Sequence, residues 1–353
     1  RSTLFPYTTL FRSPSELSFT PRGERRWTSG RERAKARAIA KVLLALADSA
    51  GTPPDLIGLC EVENARCLRE LVSGTALRKY GYRYVHFDSP DRRGIDCALL
   101  YRALPDGPGL TPSLGRMVSS RAVPLRDSSG TILPTRSLLL VEFDSLAVIV
   151  CHLPSKLGGS SQAEVRRAIA LRTLSRLCDS LSRAESGEVL GVNLAEGGRR
   201  IIVIGDFNDT RTPESDSLMR PMLELSPSPA TGFPSVPGTI ATTAQTPTSS
   251  YPITGFPSAP GTIKFEGIWE QIDRAFVSEP LAPGGPSEHP TTLVPPATHA
   301  TLHILALPFL TTPDKKFGGT KPLRTYQGPR YLGGVSDHYP IMVIIPPCGR
   351  RRI

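Results

Sequence analysis

Apolar residues recur along the chain at two spacings, which predict helices and strands in turn. From Arg31 to Ser49 they return every three or four residues, as on one face of a helix, and Ser161–Leu181 repeats this pattern. A third helix is predicted at Ala65–Lys79. Short apolar runs bounded by polar or turn residues predict strands. These runs are Leu56–Val62, Tyr82–Phe87, Ile95–Arg102, Ser137–Phe143, Leu146–Leu153, Arg200–Phe207, Ile272–Ser278 and His338–Pro346.

The order of these elements indicates the fold class. Consecutive strands lie close enough along the chain to pair antiparallel, and few helices separate them. We therefore expect an α/β fold, a four-layer sandwich in which two packed mixed or antiparallel sheets are flanked by helices, and not a doubly wound parallel sheet. A single domain is expected over residues 17–346. Proline-rich loop insertions are predicted near residues 221–260, which contain TGFPSVPGTI and its near-copy TGFPSAPGTI, and near residues 280–296.

The two ends of the chain differ from this domain. Leu4–Ser13 matches one translated reading frame of a common sequencing adaptor, so we interpret residues 1–16 as a non-native segment with unmatched neighbours. On that reading the native N terminus and any signal peptide are missing. Localisation, cytoplasmic or secreted, is therefore left open. Residues 347–353 are predicted to be a basic tail.

Net charge does not indicate a partner. The chain has 42 Lys and Arg against 32 Asp and Glu, a formal net charge of +10, but the excess lies at the two ends and the body is balanced. A balanced body lacks the basic surface that is typical of nucleic-acid binding. No apolar run reaches the ~18 residues of a membrane-spanning helix. The 6 cysteines show no zinc-ligand spacing.

Polar residues at the ends of apolar runs are the candidates for chemistry, because active sites are often built at strand ends. Asp206 and Asn208 follow one run in IIVIGDFND, and a spacing of two points both side chains the same way. Glu61 ends the run in GLCEVEN, where a carboxylate is costly unless it is paired or bound to a cation. His152 closes the most apolar strand, in VIVCHLPSK.

A second histidine and a carboxylate partner come from the last third of the chain. Asp337 and His338 precede the final run in GVSDHYP, and Asp273 lies in the strand EQIDRAFVS. Each feature alone also fits an ordinary turn, a solvent-facing carboxylate or a core histidine. Only the ordered set supports a functional interpretation.

Taken in order, the set resembles the endonuclease/exonuclease/phosphatase superfamily with its deoxyribonuclease I-like fold, and within it a nuclease-like bacterial branch. The resemblance runs from about Phe19 to Ile345. It implies a metal-dependent phosphodiesterase, in this branch an endonuclease or exonuclease that acts on DNA or RNA. The segments that carry it are WTSGRERAK, GLCEVEN, YVHFDSPDRRGIDCALLYR, CHLPSKLGG, GDFND, GTIKFEGIWEQIDRAFVS and GGVSDHYP.

The resemblance also implies a role for each candidate residue. Mg²⁺ is the expected cofactor, with Mn²⁺ as a substitute, because a hard cation prefers carboxylate oxygens. The implied roles are Glu61 and Asp337 at the metal, Asp206 and Asn208 at the nucleophile and the scissile phosphate, His338 as catalytic histidine oriented by Asp273, His152 as a second phosphate contact, Asp96 as the residue that orients His152, and Arg93 as a phosphate contact.

Two alternatives remain open at this point. A phospholipid or small-phosphoester hydrolase, of the sphingomyelinase or phosphatase kind, would use the same fold. An inactive, truncated copy would also explain the sequence, because the family's first strand ends in an asparagine for which this chain shows no match. The expected partner is nucleic acid or another phosphodiester substrate, bound by a monomer with no transmembrane segment.

Overall fold

The computed structural model describes most of the expected domain. Its described residues are 19–103, 114–155, 160–183, 200–209, 217–219, 222–227, 258–278, 281 and 300–345. The adaptor-like segment, the basic tail and most of both proline-rich insertions, including the first copy of the duplicated sequence, lie outside them. The domain limits therefore stay predictions. Among the helices of the described part, none is long and apolar enough to cross a membrane.

Capping residues set both ends of the first helix. Helix α1 (Ser29–Ala50) starts after Thr28, whose hydroxyl accepts from the Arg31 backbone N–H, and it ends at Gly51 with φ +70°. Helix α3 spans Ser160–Arg183. The helix predicted over Ala65–Lys79 is two elements, namely α2 (Ala65–Ser73) and a 3₁₀ turn (Ala76–Tyr80).

The break between these two elements lies at Gly74 and Thr75. Glycine ends a helix readily, and the Thr75 hydroxyl accepts from the Leu77 backbone N–H and so caps a new turn. The prediction of one continuous helix was wrong because it counted apolar spacing and ignored these two capping residues.

All eight predicted strands are present. The last one, however, begins at Ile341 and not at His338, which pairs with Ile263 through a single bridge. The remaining strands are short or lack an apolar run, so they were not predicted. The strands are β1 (Leu56–Val62), β2 (Tyr82–His86), β3 (Asp96–Arg102), β4 (Met117–Val123), β5 (Leu138–Phe143), β6 (Ala147–His152), β7 (Ile201–Asp206), β8 (Leu223–Glu224), β9 (Ile263–Phe265), β10 (Ile268–Glu270), β11 (Asp273–Val277), β12 (Thr301–Ile304), β13 (Thr311–Pro313), β14 (Thr320–Pro322), β15 (Tyr326–Gln327), β16 (Arg330–Tyr331) and β17 (Ile341–Ile344).

A six-stranded mixed sheet forms the centre of the molecule, in the order β4-β5-β6-β7-β11-β8. Strands β6 and β7 pair parallel, and the other neighbours pair antiparallel. Alternate residues of β5, β6 and β7 face opposite sides. One side packs on α3 in one core, and the other packs on β1 and β3 in a second, larger core.

The remaining layers complete the sandwich. Strands β1, β3 and β2 form an antiparallel sheet, β12 pairs with β17, and α1 and α2 pack against this side. The predicted α/β architecture of packed mixed and antiparallel sheets flanked by helices is confirmed. The five described cysteines are free and buried, so they act as small apolar core residues.

The parallel pair β6–β7 depends on one glycine. Gly205 pairs with Cys151, and a methyl group added at Gly205 would lie 1.8 Å from the Cys151 carbonyl oxygen. The two backbones can therefore approach only where no side chain intervenes. Asp206, the next residue, is placed by this contact.

We predict that Gly205→Ala lowers the free energy of unfolding by about 1–3 kcal/mol, because the two strands must separate to admit the methyl group. Urea unfolding measures this change. The control is Gly30→Ala in the first turn of α1, where the nearest atom to a new methyl group is 3.7 Å away. The control should stay within about 0.5 kcal/mol of the parent. Equal stability of the two variants would contradict the close-approach argument.

Candidate active site

Three of the candidate residues lie in one row across the six-stranded sheet. Asp206 on β7 pairs with His152 on β6 and with Asp273 on β11. Residues paired across neighbouring strands point to the same face. The residues two positions away on each strand belong to the core between the sheets, so this row faces the β1–β3–β2 sheet.

The row places two carboxylates where water is almost excluded. The exposed fractions of His152, Asp206 and Asp273 are 4%, 3% and 0%. Burial raises the pKa of Asp206 to about 7, and the neighbouring Asp273 carboxylate adds to this shift. The positive charge of His338 and the Asn208 backbone N–H act in the opposite direction. Asp206 is therefore close to changing its charge at neutral pH.

His338 binds directly to this row. Its Nδ1 lies 2.7 Å from Asp273 Oδ2, and its backbone N–H donates to Ser336 Oγ at 3.1 Å. Burial disfavours the imidazolium, but Asp273, Asp206 and Asp337 outweigh it and raise the pKa of His338 to about 10. In the protein without a bound cation, His338 is therefore protonated at pH 7. Among the described residues, none donates a hydrogen bond to the buried Asp273 Oδ1.

Glu61 and Asn208 reach the site through unusual backbone conformations. Glu61 has φ +56° and lies in a bulge of β1, where the register with β3 shifts between Leu59 and Val62. Asn208 has φ +51°, which asparagine tolerates better than glutamate does. Because such a backbone is strained for glutamate, the surrounding structure must hold Glu61 in place.

Asn208 joins the ends of two strands. Its Nδ2 donates to the Leu153 carbonyl at 2.9 Å, and its backbone N–H donates to Asp206 Oδ1 at 2.8 Å. His152 Nε2 lies 3.6 Å from Asp206 Oδ2, so the structure also brings these two predicted site residues together.

Lys35 is a site neighbour to which the sequence reasoning gave no role. It lies on α1 with 3% exposure, and its ammonium donates to Thr325 Oγ1 at 2.6 Å and to the Val335 carbonyl. Burial lowers the pKa of Lys35 to about 7, although the charges of Asp337 and Glu61 oppose this shift. The sequence signal that could have identified Lys35 as buried was its position, because it falls on the same helical face as the core residue Ile39.

Asp337, predicted at the metal, is half-buried beside this lysine. Burial alone would raise its pKa, but His338, Arg324 and Lys35 outweigh burial and lower the pKa below the ordinary value. Asp337 is therefore negatively charged at neutral pH. The charges of Asp337 and Glu61 both act on the buried Lys35 ammonium.

Arg136 is a second residue that the sequence reasoning missed. It is 5% exposed, its Nε and Nη2 donate to the His152 and Leu153 carbonyls at 3.2 and 2.6 Å, and its Nη1 lies 3.1 Å from Asp91 Oδ2. Arg136 thereby fixes the end of β6. Arginine before an apolar strand gives no sequence signal for this role.

Of the two weaker candidates, Arg93 lies on the turn between β2 and β3, and Asp96 is the first residue of β3. Arg93 is partly exposed and its Nε lies 3.6 Å from Asp91 Oδ1. Asp96 accepts from the Ser89 backbone N–H at 2.8 Å and contacts His86 Nε2 at 3.1 Å. The contacts that the structure gives to Asp96 are with His86 and Ser89, so its predicted role in orienting His152 stays a prediction, as does the phosphate contact of Arg93.

The sequence model of the Endonuclease/Exonuclease/phosphatase family matches this chain over residues 13–346. The chain belongs to this family. Members of the family hydrolyse phosphodiester or phosphate bonds, and the chain is a hydrolase of this kind. A comparison with curated proteins gave no match.

Solved structures match this chain over nearly its whole length. An endonuclease/exonuclease/phosphatase family protein from Bacteroides thetaiotaomicron is 14% identical with a TM-score of 0.51, and the match covers 98% of each chain. Bacteroides thetaiotaomicron mannosyl-6-phosphatase Bt3783 is 14% identical with a TM-score of 0.49, over 98% of this chain and 99% of that one. ANGEL2, a 2',3'-cyclic phosphatase, is 15% identical with a TM-score of 0.49, over 98% and 95%. At these identities the likeness concerns the fold alone.

A divalent metal, which the family implies, fits the residues of this site. Ligand atoms of Asp206, Asp273 and His338 lie within 4.8 Å of one another, and Glu61 and Asp337 already stabilise a buried positive charge on Lys35. Carboxylate oxygens are the donors that Mg²⁺ prefers. A second group of possible ligands is found at His86, the last residue of β2, Asp88, and Asp96, the first residue of β3.

We predict that Asp273→Asn lowers the pKa of His338 from about 10 toward the ordinary value of 6.5. Asparagine keeps the shape of the side chain but removes the negative charge that stabilises the imidazolium. Histidine ring NMR as a function of pH measures the change, with His303 on β12 as an internal control. A His338 pKa unchanged in the variant would contradict the assigned ion pair.

Proposed function

We propose that this chain is a Mg²⁺-dependent phosphodiester hydrolase that acts on nucleic acid. The observation that carries the proposal is the buried row of His152, Asp206 and Asp273, joined by His338. A row of acidic and imidazole groups at the ends of three paired strands is suited to binding a phosphate and moving a proton. Glu61 and Asp337 add negative charge for a cation beside it.

Glu61 and Asp337 are the residues that we assign to the cation. When bound, Mg²⁺ would neutralise charge on the phosphoryl oxygens and lower the pKa of a bound water. The buried position of Glu61 strengthens its interaction with a cation, because there is little water to screen the charge. Mn²⁺ should substitute, since it accepts the same oxygen donors.

Asp206, Asn208 and His152 are assigned to the attacking water and the scissile phosphate. Asp206 has a pKa of about 7, so its carboxylate form is present near neutral pH. The carboxylate can then accept a hydrogen bond from the attacking water. The side chains of Asn208 and His152 lie at the ends of the adjacent strands β7 and β6. Asp206 and His152 are held by backbone pairing, and Asn208 is held by its hydrogen bonds to Asp206 and Leu153, which keeps the reacting groups aligned.

His338 is assigned as the group that exchanges a proton with the reactants, and Asp273 orients its ring. A general base works best when its pKa lies near the working pH. The pKa of about 10 without a cation is too high for this role. Positive charge held by Asp337, the adjacent residue, would lower it, so the assignment requires the cation to be bound.

The choice of nucleic acid rests on the sequence resemblance to the nuclease-like branch. The experiment that tests it compares hydrolysis of plasmid DNA, RNA, sphingomyelin and sugar phosphates by the same preparation in Mg²⁺. Faster hydrolysis of DNA or RNA is the expected result. Preference for sphingomyelin or a sugar phosphate would establish the alternative of a phospholipid or small-phosphoester hydrolase.

A non-catalytic copy remains the alternative from another class. The intact row of charged residues speaks against it, because buried carboxylates that serve no purpose destabilise a fold. In the same assay, binding of nucleic acid without hydrolysis of any substrate in Mg²⁺ or Mn²⁺ would establish this alternative.

We predict that His338→Ala lowers the rate of hydrolysis by roughly 10²–10⁴-fold, since the group that exchanges the proton is removed. Initial rates on the preferred substrate measure the effect. The matched control is His303→Ala on β12, a half-buried histidine outside the row, which should keep nearly the full rate. A parental rate in His338→Ala would remove His338 from the mechanism.

Two carboxylate variants should respond differently to metal. We predict that Glu61→Gln loses most of its activity and regains part of it at high Mg²⁺ or Mn²⁺, because mass action offsets weaker metal binding. Asp206→Asn should not regain activity, since its assigned role is with the water and the phosphate. Glu142→Gln on β5 is the control. A parental rate and metal dependence in Glu61→Gln would make Glu61 a structural carboxylate.

A further inference from the structure

Five arginines lie on and around the hairpin formed by β15 and β16. Three of them are exposed and two are half-buried. The segments that carry them, residues 19–31 and 326–331, contain no other basic residue and a single acidic one, Glu24. Positive charge is therefore concentrated around this hairpin, whereas the body of the chain is balanced. The five, here named the arginine surface, are Arg22, Arg25, Arg26, Arg31 and Arg330.

Aromatic rings hold two of these arginines in place. The guanidinium of Arg25 lies 4.5 Å from the centre of the Phe19 ring, and that of Arg31 lies 4.4 Å from the centre of the Tyr331 ring. Arg31 Nη1 also donates to the Arg25 carbonyl at 2.6 Å. Both side chains are therefore ordered before a ligand arrives, and less conformational entropy is lost when one binds.

The hairpin leads directly into the loop that carries Asp337 and His338. Thr325, the residue before β15, accepts from the Leu332 backbone N–H at 2.9 Å, and its hydroxyl donates to the Gly334 carbonyl at 2.9 Å. The chain from the end of β16 to Asp337 can span at most about 22 Å. Phosphates of one strand of a duplex follow each other about every 3.4 Å. A strand cut at the candidate site can therefore reach the arginine surface within about seven nucleotides.

We propose that the arginine surface binds the phosphate backbone of a nucleic-acid strand, several nucleotides away from the bond that is cut. Guanidinium groups pair with phosphate oxygens through two parallel hydrogen bonds. Contacts to the backbone carry no sequence information, so this binding should not depend on base sequence. The inference rests on the proposed function, because it takes nucleic acid as the substrate.

An anionic lipid surface carries the same charge but fits this region less well. Binding to lipid headgroups is strengthened by apolar side chains that project into the membrane interface. In residues 19–31 and 326–331, the aromatic side chains are buried or half-buried, and they pack against arginines and one another. The region thus offers charge without a projecting apolar group, which favours nucleic acid.

The first test measures binding of a long, fluorescently labelled DNA or RNA strand by anisotropy, in a chelator that prevents cleavage. One variant combines Arg22→Gln, Arg26→Gln and Arg330→Gln, the three exposed members of the surface. We expect its Kd to rise at least about tenfold at low salt. The slope of log K against log salt concentration should become shallower by about 2–3, because up to three phosphate contacts are lost.

The matched control removes the same charge elsewhere. It combines Arg166→Gln, Arg172→Gln and Arg176→Gln, three exposed arginines of α3, which packs on the other side of the six-stranded sheet. Its Kd and salt dependence should stay close to those of the parent, because charges at that distance are screened. Arg330→Gln alone is a second variant in case the triple variant does not fold, and its salt slope should become shallower by about 1.

Kinetics separate this surface from the catalytic groups. On the long strand, the surface variant should show a higher KM with little change in kcat, because the lost contacts bind substrate and transition state equally. Its rate on bis(4-nitrophenyl) phosphate, a diester too small to reach the surface, should equal that of the parent. A fall in the rate on this small diester would mean that the variant has disturbed the site itself and would overturn the proposal.

The remaining outcomes distinguish this proposal from the proposed function. Equal affinity and equal salt dependence in the surface variant and the α3 control would overturn the arginine surface and leave the nuclease assignment intact. Loss of binding to phosphatidylserine vesicles, with unchanged binding to DNA and RNA, would assign the surface to lipid and overturn the proposal. If the parent binds neither DNA nor RNA, both the choice of substrate and the surface are wrong. Charge-dependent binding without hydrolysis of any substrate would support the surface and overturn the catalytic assignment.

Discussion

The structure depends on the burial of two carboxylates against each other. Asp206 and Asp273 pair directly across β7 and β11 with 3% and 0% exposure, an arrangement that repulsion would break without a compensating cation. His338 supplies that charge through its 2.7 Å contact with Asp273. The Asp206 pKa near 7 and the His338 pKa near 10 are two consequences of one shared charge balance.

The same balance explains how the flanking segments are held. The loop that carries His338 is not a strand, yet it is fixed by the Ser336 hydroxyl, the bridge to Ile263 and the Lys35 ammonium. Glu61 enters from the opposite sheet through a bulge with a left-handed backbone conformation. Two sheets and one helix therefore converge on a small volume of high charge.

The sequence located the strand ends that carry Asp206 and His152, because the sharp change from apolar to polar residues marks a strand end. Asp273 was expected inside a strand and is the first residue of β11. Lys35 and Arg136 could not be located, because a basic residue on a helix or before a strand is normally solvated and only the three-dimensional packing buries it. The helix predicted over residues 65–79 was too long because capping by Thr75 is a local interaction that apolar spacing does not register.

The central claim is that Glu61 and Asp337, beside the buried row, hold a divalent cation. Crystals soaked in Mn²⁺ and measured at a wavelength where manganese scatters anomalously would locate the ion directly. We predict one strong peak coordinated by the Glu61 carboxylate, adjacent to Asp337. A peak at the second group of possible ligands, His86, Asp88 and Asp96, with none at Glu61, would contradict the account and move the metal to the adjoining ends of β2 and β3.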